Sequence, residues 1–296
     1  MPIPGVAAGT PAYLNGEFLP VEQARVSVLD RGFIYGDGIY EVVPVYGRRP
    51  FRLDEHLARL ARSLAAVRIA APREAADWPA LVHELARRSP TPDTLVYLQV
   101  TRGVARRDHA FPTDPEVVPT VFGMATPFVP PGEAVRRDGL RVIAIEDERW
   151  LNCHVKATSL LGNVLAKQRA IDAGVDEVVQ FRGEQLTEGS ASNIWVVRDA
   201  TLLAPPVGRH ILEGIRYGLI GELAAELGLP FEARPLTRAE VAGADELLIT
   251  SASREILPIV QMDGVAVGRG VPGPVYARLR AAYDGRLRAL RDQPAV

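Results

Sequence analysis

Apolar positions change period several times along the chain, and each change marks an element. "AYLNGEFLP" sets Asn15-Gly16 between short apolar flanks, which predicts a hairpin closed by a type I′ turn. "DRGFIYGDG" follows with three glycines in nine residues, a turn-rich loop. "IYEVVPVYGRRPFRL" reads as two strands joined at Gly47. Leu57, Leu60, Leu64 and Val67 then recur at helical spacing behind Asp54, an expected cap. A second helix is expected over 77 to 88, then strands in "TLVYLQVTRG" and "VPTVFGMA". Beyond a Pro, Gly and charge-rich stretch, "LRVIAIED" reads as a strand. "SLLGNVLAKQRAIDAG" reads as a helix with Leu161, Val164, Leu165 and Ile171 along one face and Gly174 at its C-terminus. "DEVVQFRGEQLTEGSASNIWVV" is strand, turn and strand, "GIRYGLIGELAAELG" a helix, and "DELLITSAS" a strand ending in small polar residues. No regular βαβ repeat appears, so the fold class is α+β rather than a doubly wound sheet. The expected division is a smaller N-terminal domain over 1–127, a linker over 128–138 and a larger C-terminal domain over 139–296.

Composition narrows the function classes. A 296-residue chain with 47% hydrophobic and 24% charged residues has ample core for one large or two medium domains. Net charge is −2 with no basic block, so neither a nucleic acid nor an anionic membrane is an expected partner. No apolar run reaches the roughly 18 residues of a membrane span. The first residues lack the charged and apolar regions of a signal peptide. One cysteine, Cys153, forms no internal disulfide, which fits a reducing cytosol.

Among 34 basic residues other than histidine, only positions 156 and 167 are lysine. Lys167 falls at the edge of a helical stripe, as a snorkelling flank residue does. Lys156 sits between a strand and a helix in "CHVKATSLL", with small and apolar neighbours. The position suits either a loop charge or a partly buried amine, the type of group that forms Schiff bases with aldehydes. The second reading demands that the chain also hold an aldehyde cofactor's other handles: an acid for a pyridinium nitrogen, a phosphate cup and an apolar ring support.

At this point the sequence resembles the fold-type IV pyridoxal-phosphate aminotransferases, nearest to the bacterial D-amino acid aminotransferases. Seven stretches carry the likeness in order: "DRGFIYGDGIYEVVPVY", "DEHLARL", "VTRGVARRDHAFP", "RWLNCHVKATSLLGNVLAKQ", "LTEGSASNIWVV", "ILEGI" and "DELLITSAS". The resemblance implies a two-domain fold with its active site between domains at a dimer interface, and pyridoxal 5′-phosphate as cofactor. It makes Lys156 the catalytic Schiff-base lysine and Glu188 the partner of the pyridinium nitrogen. It assigns the phosphate to Arg59, to Gly214, Ile215 and Arg216 at a helix start, and to Ser251, Ala252 and Ser253 at a strand end. Leu212 becomes the ring support. Many relatives carry threonine at the place of Arg216 and a hydroxyl residue at that of Ala252, so backbone N–H donors are expected to serve there. No metal is called for.

Tyr40, Arg107 and His109 match residues that trap the substrate carboxylate. A phenol, a guanidinium and an imidazole suit an anion, and the Arg-x-His spacing lets two donors converge on it. Asp108 between them has no assigned role. The implied activity is ping-pong transamination between D-amino acids, with D-alanine and D-glutamate foremost, and 2-oxo acids such as 2-oxoglutarate and pyruvate. The implied assembly is a homodimer in the cytoplasm. The same fold also supports an aminodeoxychorismate lyase, a branched-chain L-amino acid aminotransferase or an (R)-amine aminotransferase.

Overall fold

A computed structural model describes residues 5–70, 72, 77–114 and 117–293. Two units organise the chain: Met1–Val129 with Val155–Leu160 and Leu290–Val296, and Pro130–His154 with Leu161–Ala289. Composition places residues 155–160 with the C-terminal half, yet they belong to the first unit.

The first unit is built on a six-stranded antiparallel sheet. Its strands run in the order Glu17–Pro20, Pro11–Leu14, Thr120–Pro127, Thr94–Thr101, Gly38–Tyr46 and Arg49–Pro50. Asn15 and Gly16 both take positive φ (48° and 101°), so the expected turn forms. Helices Leu53–Ala66 and Trp78–Arg88 cover the sheet through Leu60, Leu64, Val82 and Leu85, which pack with Val43, Val96 and Leu98. Asp77 caps the second helix through the Ala80 N–H. Asp54 is not the cap of the first. Arg52 holds that place without a side-chain capping bond, and Asp54 lies in the first turn, where its charge complements the helix dipole.

The second unit carries a nine-stranded mixed sheet. Its central strands are Asn193–Arg198, Glu246–Ser251, Glu255–Met262, Leu140–Glu146 and Glu177–Arg182, with the last three in parallel. Segregated antiparallel pairs and a mixed sheet make the chain α+β, as expected. Helix Leu161–Asp172 turns its apolar face outward. Leu161, Val164, Leu165 and Ile171 are between 54% and 71% exposed, and Ala166 and Ala170 are the residues it buries. Gly174 ends it with φ +65°, as expected. Lys167 does not simply snorkel, because its Nζ donates to the Asp176 carbonyl at 2.6 Å and ties the helix to the following strand. The longest helix, Pro274–Arg291, has no counterpart in the expectations, although Tyr276, Leu279, Tyr283 and Leu287 form its buried stripe. Among the described residues, no helix is long and apolar enough to cross a membrane.

Candidate active site

In the first unit, Val155–Leu160 lies along strand Gly38–Tyr46. The Tyr40 N–H donates to the Lys156 carbonyl (2.9 Å), Ala157 bridges Ile39, and the Thr158 N–H donates to the Gly38 carbonyl (3.0 Å). Val155 and Ala157 are buried, so by alternation the half-buried Lys156 points to the other side. Its Nζ lies 4.0 Å from the centre of the Tyr40 ring. Tyr40 stacks in turn on Tyr97 (5.7 Å), whose hydroxyl donates to Gln99. Burial, with the neighbouring Tyr40, pushes the Tyr97 phenol up to about 12.

Arg59 is a buried residue. Its Nε and Nη2 donate to the two oxygens of Glu41 (2.9 and 2.6 Å). His56 Nδ1 lies 3.0 Å from the same carboxylate. Burial alone would raise the Glu41 carboxyl, but Arg59 and then His56 outweigh it and hold it far below the carboxylate range. Glu41 and His56 escape a reading of the sequence, although they lie in two of the quoted stretches. A buried arginine requires a buried acid, and only the fold shows which one.

Arg107 and His109 sit on an exposed loop and pack on Tyr35. The Arg107 guanidinium is 5.6 Å and the His109 ring 5.4 Å from the Tyr35 ring centre. The Tyr35 hydroxyl is buried and has no hydrogen-bond partner among the described residues. Asp108 acquires a role, because its Oδ1 accepts from the Ala110 N–H (3.1 Å) and closes a local turn.

In the second unit Glu188 is the centre of a buried network. Its Oε2 accepts from Arg149 Nη1 (2.5 Å), and its Oε1 from the Leu212 N–H (2.9 Å) and Asn193 Nδ2 (3.2 Å). Asp147 grips Arg149 through both oxygens at 2.9 Å, so the guanidinium is fixed before it meets Glu188. Complete burial pushes the Glu188 carboxyl up to about 7, against the pull of Arg149. Arg149, Asp147 and Asn193 escape the sequence in the same way. Asn193 further donates to the Leu212 carbonyl (2.9 Å), and a Cβ at Gly214 would come within 2.1 Å of its Oδ1. Glycine at 214 is therefore a packing requirement.

Gly214 is the N-cap of helix Ile215–Glu226 and has no side-chain capping bond. The first N–H groups of such a helix have no partner within it. Arg216 turns its guanidinium into the unit, donating from Nε and Nη2 to the Tyr283 hydroxyl (3.1 and 2.8 Å). Its backbone N–H stays at the helix start. At the end of strand Glu246–Ser251, Ser251 Oγ accepts from the Arg254 N–H (3.1 Å) and shapes the turn through Ala252 and Ser253. Leu212 is half-buried between Ile211 and this cradle.

The first unit thus carries a lysine on a strand edge, and the second a buried acid clamped by an arginine and a helix start without a side-chain cap. The amino-transferase class IV family model matches residues 38–262, and the chain belongs to that family. It is 36% identical to D-alanine aminotransferase of Staphylococcus haemolyticus over 93% of this chain and 97% of that one. It is 36% identical to D-alanine aminotransferase of Bacillus licheniformis over 92% and 95%. Among solved structures it resembles a T.th. branched-chain amino acid aminotransferase with pyridoxamine 5′-phosphate, at TM-score 0.86 and 28% identity over 97% and 96% of the two chains. The Thermoproteus uzoniensis branched-chain aminotransferase with norvaline gives TM-score 0.84 and 26% identity over 96% of each chain.

Proposed function

We propose that the chain is a pyridoxal-phosphate-dependent aminotransferase. It moves amino groups between D-amino acids, D-alanine and D-glutamate foremost, and 2-oxo acids such as 2-oxoglutarate and pyruvate. The observation that carries the D-amino acid reading is the Arg107-x-His109 pair, presented side by side on Tyr35. Two cationic or donor groups on one held loop suit a carboxylate, and the likeness to two D-alanine aminotransferases agrees with that chemistry.

The residues fit the cofactor. Lys156 supplies the primary amine that an aldehyde takes. Glu188 has three donors on a group with about four acceptor sites, which leaves room for a ring N–H. Ile215 and Arg216 place backbone N–H groups at a helix start, where a phosphate is favoured; Arg59 adds a guanidinium, and Ser251, Ala252 and Ser253 a polar turn. Leu212 gives an apolar surface for the ring. When bound, pyridoxal phosphate supplies the carbonyl carbon that receives the amino group and a ring that accepts electrons from the substrate.

The chain's own groups do the rest. Lys156, once free, is the base that takes the proton from the substrate α-carbon and returns it in the reverse half. Tyr40 limits where its Nζ can go. Arg149 holds Glu188 in place, and the negative charge of a Glu188 carboxylate would stabilise a protonated ring nitrogen. Arg107, His109 and Tyr40 fix the carboxylate and so set which face of the α-carbon is offered.

The exposed stripe Leu161, Val164, Leu165 and Ile171 supports a homodimer, because so much apolar area on one helix face is otherwise left in water. The single cysteine supports a cytoplasmic setting. The deciding assay is 2-oxoglutarate-dependent release of pyruvate from D-alanine. It is compared with turnover of L-leucine, (R)-1-phenylethylamine and aminodeoxychorismate. Activity with D-alanine at least ten times that with the others is expected, about 1.4 kcal/mol of discrimination. No activity with any D-amino acid sinks the reading.

A further inference from the structure

Arg31 is 3% exposed and does nothing in the chemistry above. Its Nη1 donates to two backbone carbonyls, Asp108 (2.6 Å) and Ala110 (3.2 Å), the residues on either side of His109. Its Nε is held by Asp37 Oδ2 (2.8 Å), and its guanidinium lies 5.0 Å from the Tyr35 ring centre. Asp37 is also held by Arg102, through Nε (2.8 Å) and Nη2 (2.9 Å). Arg102 then covers Phe111 at 3.7 Å, with Arg68 at 4.7 Å from the same ring, and so anchors the far end of the loop. Asp30 fixes the base: it accepts from the Gly32 N–H, Thr101 and Thr120.

We propose that Arg31 is a positioning residue that presets the carboxylate subsite by locking the backbone of Asp108–Ala110 over Tyr35, so that Arg107 and His109 face the substrate already aimed. The proposal rests on the reading that Arg107 and His109 receive the substrate carboxylate. Asp37 neutralises this buried cation, and the Arg31 Nη1 is satisfied by the two loop carbonyls, so the loop cannot leave without stranding a buried charged donor. Holding the loop in advance removes an ordering cost from binding and leaves the chemical step alone. Arg31 therefore acts on carboxylate affinity, not on turnover.

The test compares Arg31→Met, Tyr35→Leu and Arg107→Leu with the wild-type holoenzyme. Asp37 keeps its two bonds to Arg102 in Arg31→Met, so no buried charge is orphaned. Tyr35→Leu removes the platform and leaves every ion pair in place, which covers the case of an Arg31 variant that does not fold. Steady-state KM for D-alanine and 2-oxoglutarate is measured with kcat and with the inhibition constant of propionate, a carboxylate without an amine. Arg31→Met and Tyr35→Leu are each expected to raise both KM values and the propionate constant about ten-fold, with kcat within about two-fold. If folded variants leave these constants unchanged while Arg107→Leu raises them, Arg31 has no positioning role and the carboxylate reading stands. A fall in kcat at constant KM also overturns the proposal. If Arg107→Leu changes none of the constants, the carboxylate reading itself fails.

Discussion

Replacing Glu188 with glutamine should make the cofactor-free protein more stable at neutral pH and leave it little changed in acid. Burial lifts the carboxyl from its ordinary 4.5 to about 7 in the folded chain. Below pH 4.5 both folded and unfolded chains carry the proton, and burial incurs no charge penalty. Between 4.5 and 7 the folded chain keeps a proton that the unfolded chain has lost, so stability falls as pH rises. Above 7 the penalty is complete, roughly 3 kcal/mol at about 1.4 kcal/mol per pH unit. Glutamine keeps an acceptor for the Leu212 N–H, and Arg149 keeps Asp147. Urea denaturation of both proteins from about pH 4.5 to 8.5 gives the difference directly. The variant is expected to gain about 3 kcal/mol on the wild type across that window. A difference that stays flat, or that falls as pH rises, would refute burial as the dominant influence on Glu188 and leave Arg149 in control.

Gly214→Ala puts a Cβ within 2.1 Å of Asn193 Oδ1, so the helix start must shift. A loss of about ten-fold or more in pyridoxal-phosphate affinity is expected in a spectrophotometric titration. Glu41→Gln strips the buried Arg59 of its counter-charge and should lower stability by about 3–5 kcal/mol, read by urea denaturation. Leu165→Asp places a charge in the exposed stripe and should shift the protein toward monomer, by light scattering after size exclusion, with the chain still folded.

Local rules locate most elements because their signals are local. The Asn15-Gly16 turn, the Asp77 cap and the Gly174 terminus each depend on a few adjacent residues. Helix Leu161–Asp172 is placed correctly, but that its apolar stripe is exposed could not be read, since periodicity identifies a stripe without saying what covers it. The site divides along the same line. Residue types and order point to Lys156, Glu188 and Arg59 through a family likeness, while position alone leaves Lys156 with two readings. The partners Glu41, His56, Arg149 and Asn193 are fixed by pairing across the fold, which spacing along the chain does not report. Helix Pro274–Arg291 was within reach of the sequence, as Tyr276, Leu279, Tyr283 and Leu287 keep helical spacing.

The return of Val155–Leu160 to the first unit sets an order of assembly during synthesis. Val155 and Ala157 are part of that unit's core, so the sheet that begins at Pro11 is not finished when Val129 leaves the ribosome. It waits for about 30 more residues, roughly 2–6 s at translation speeds of about 5–20 residues per second. Through that interval the edge of strand Gly38–Tyr46 that receives Lys156 is open to other strands. Lys156 is thus among the last pieces to reach the first unit.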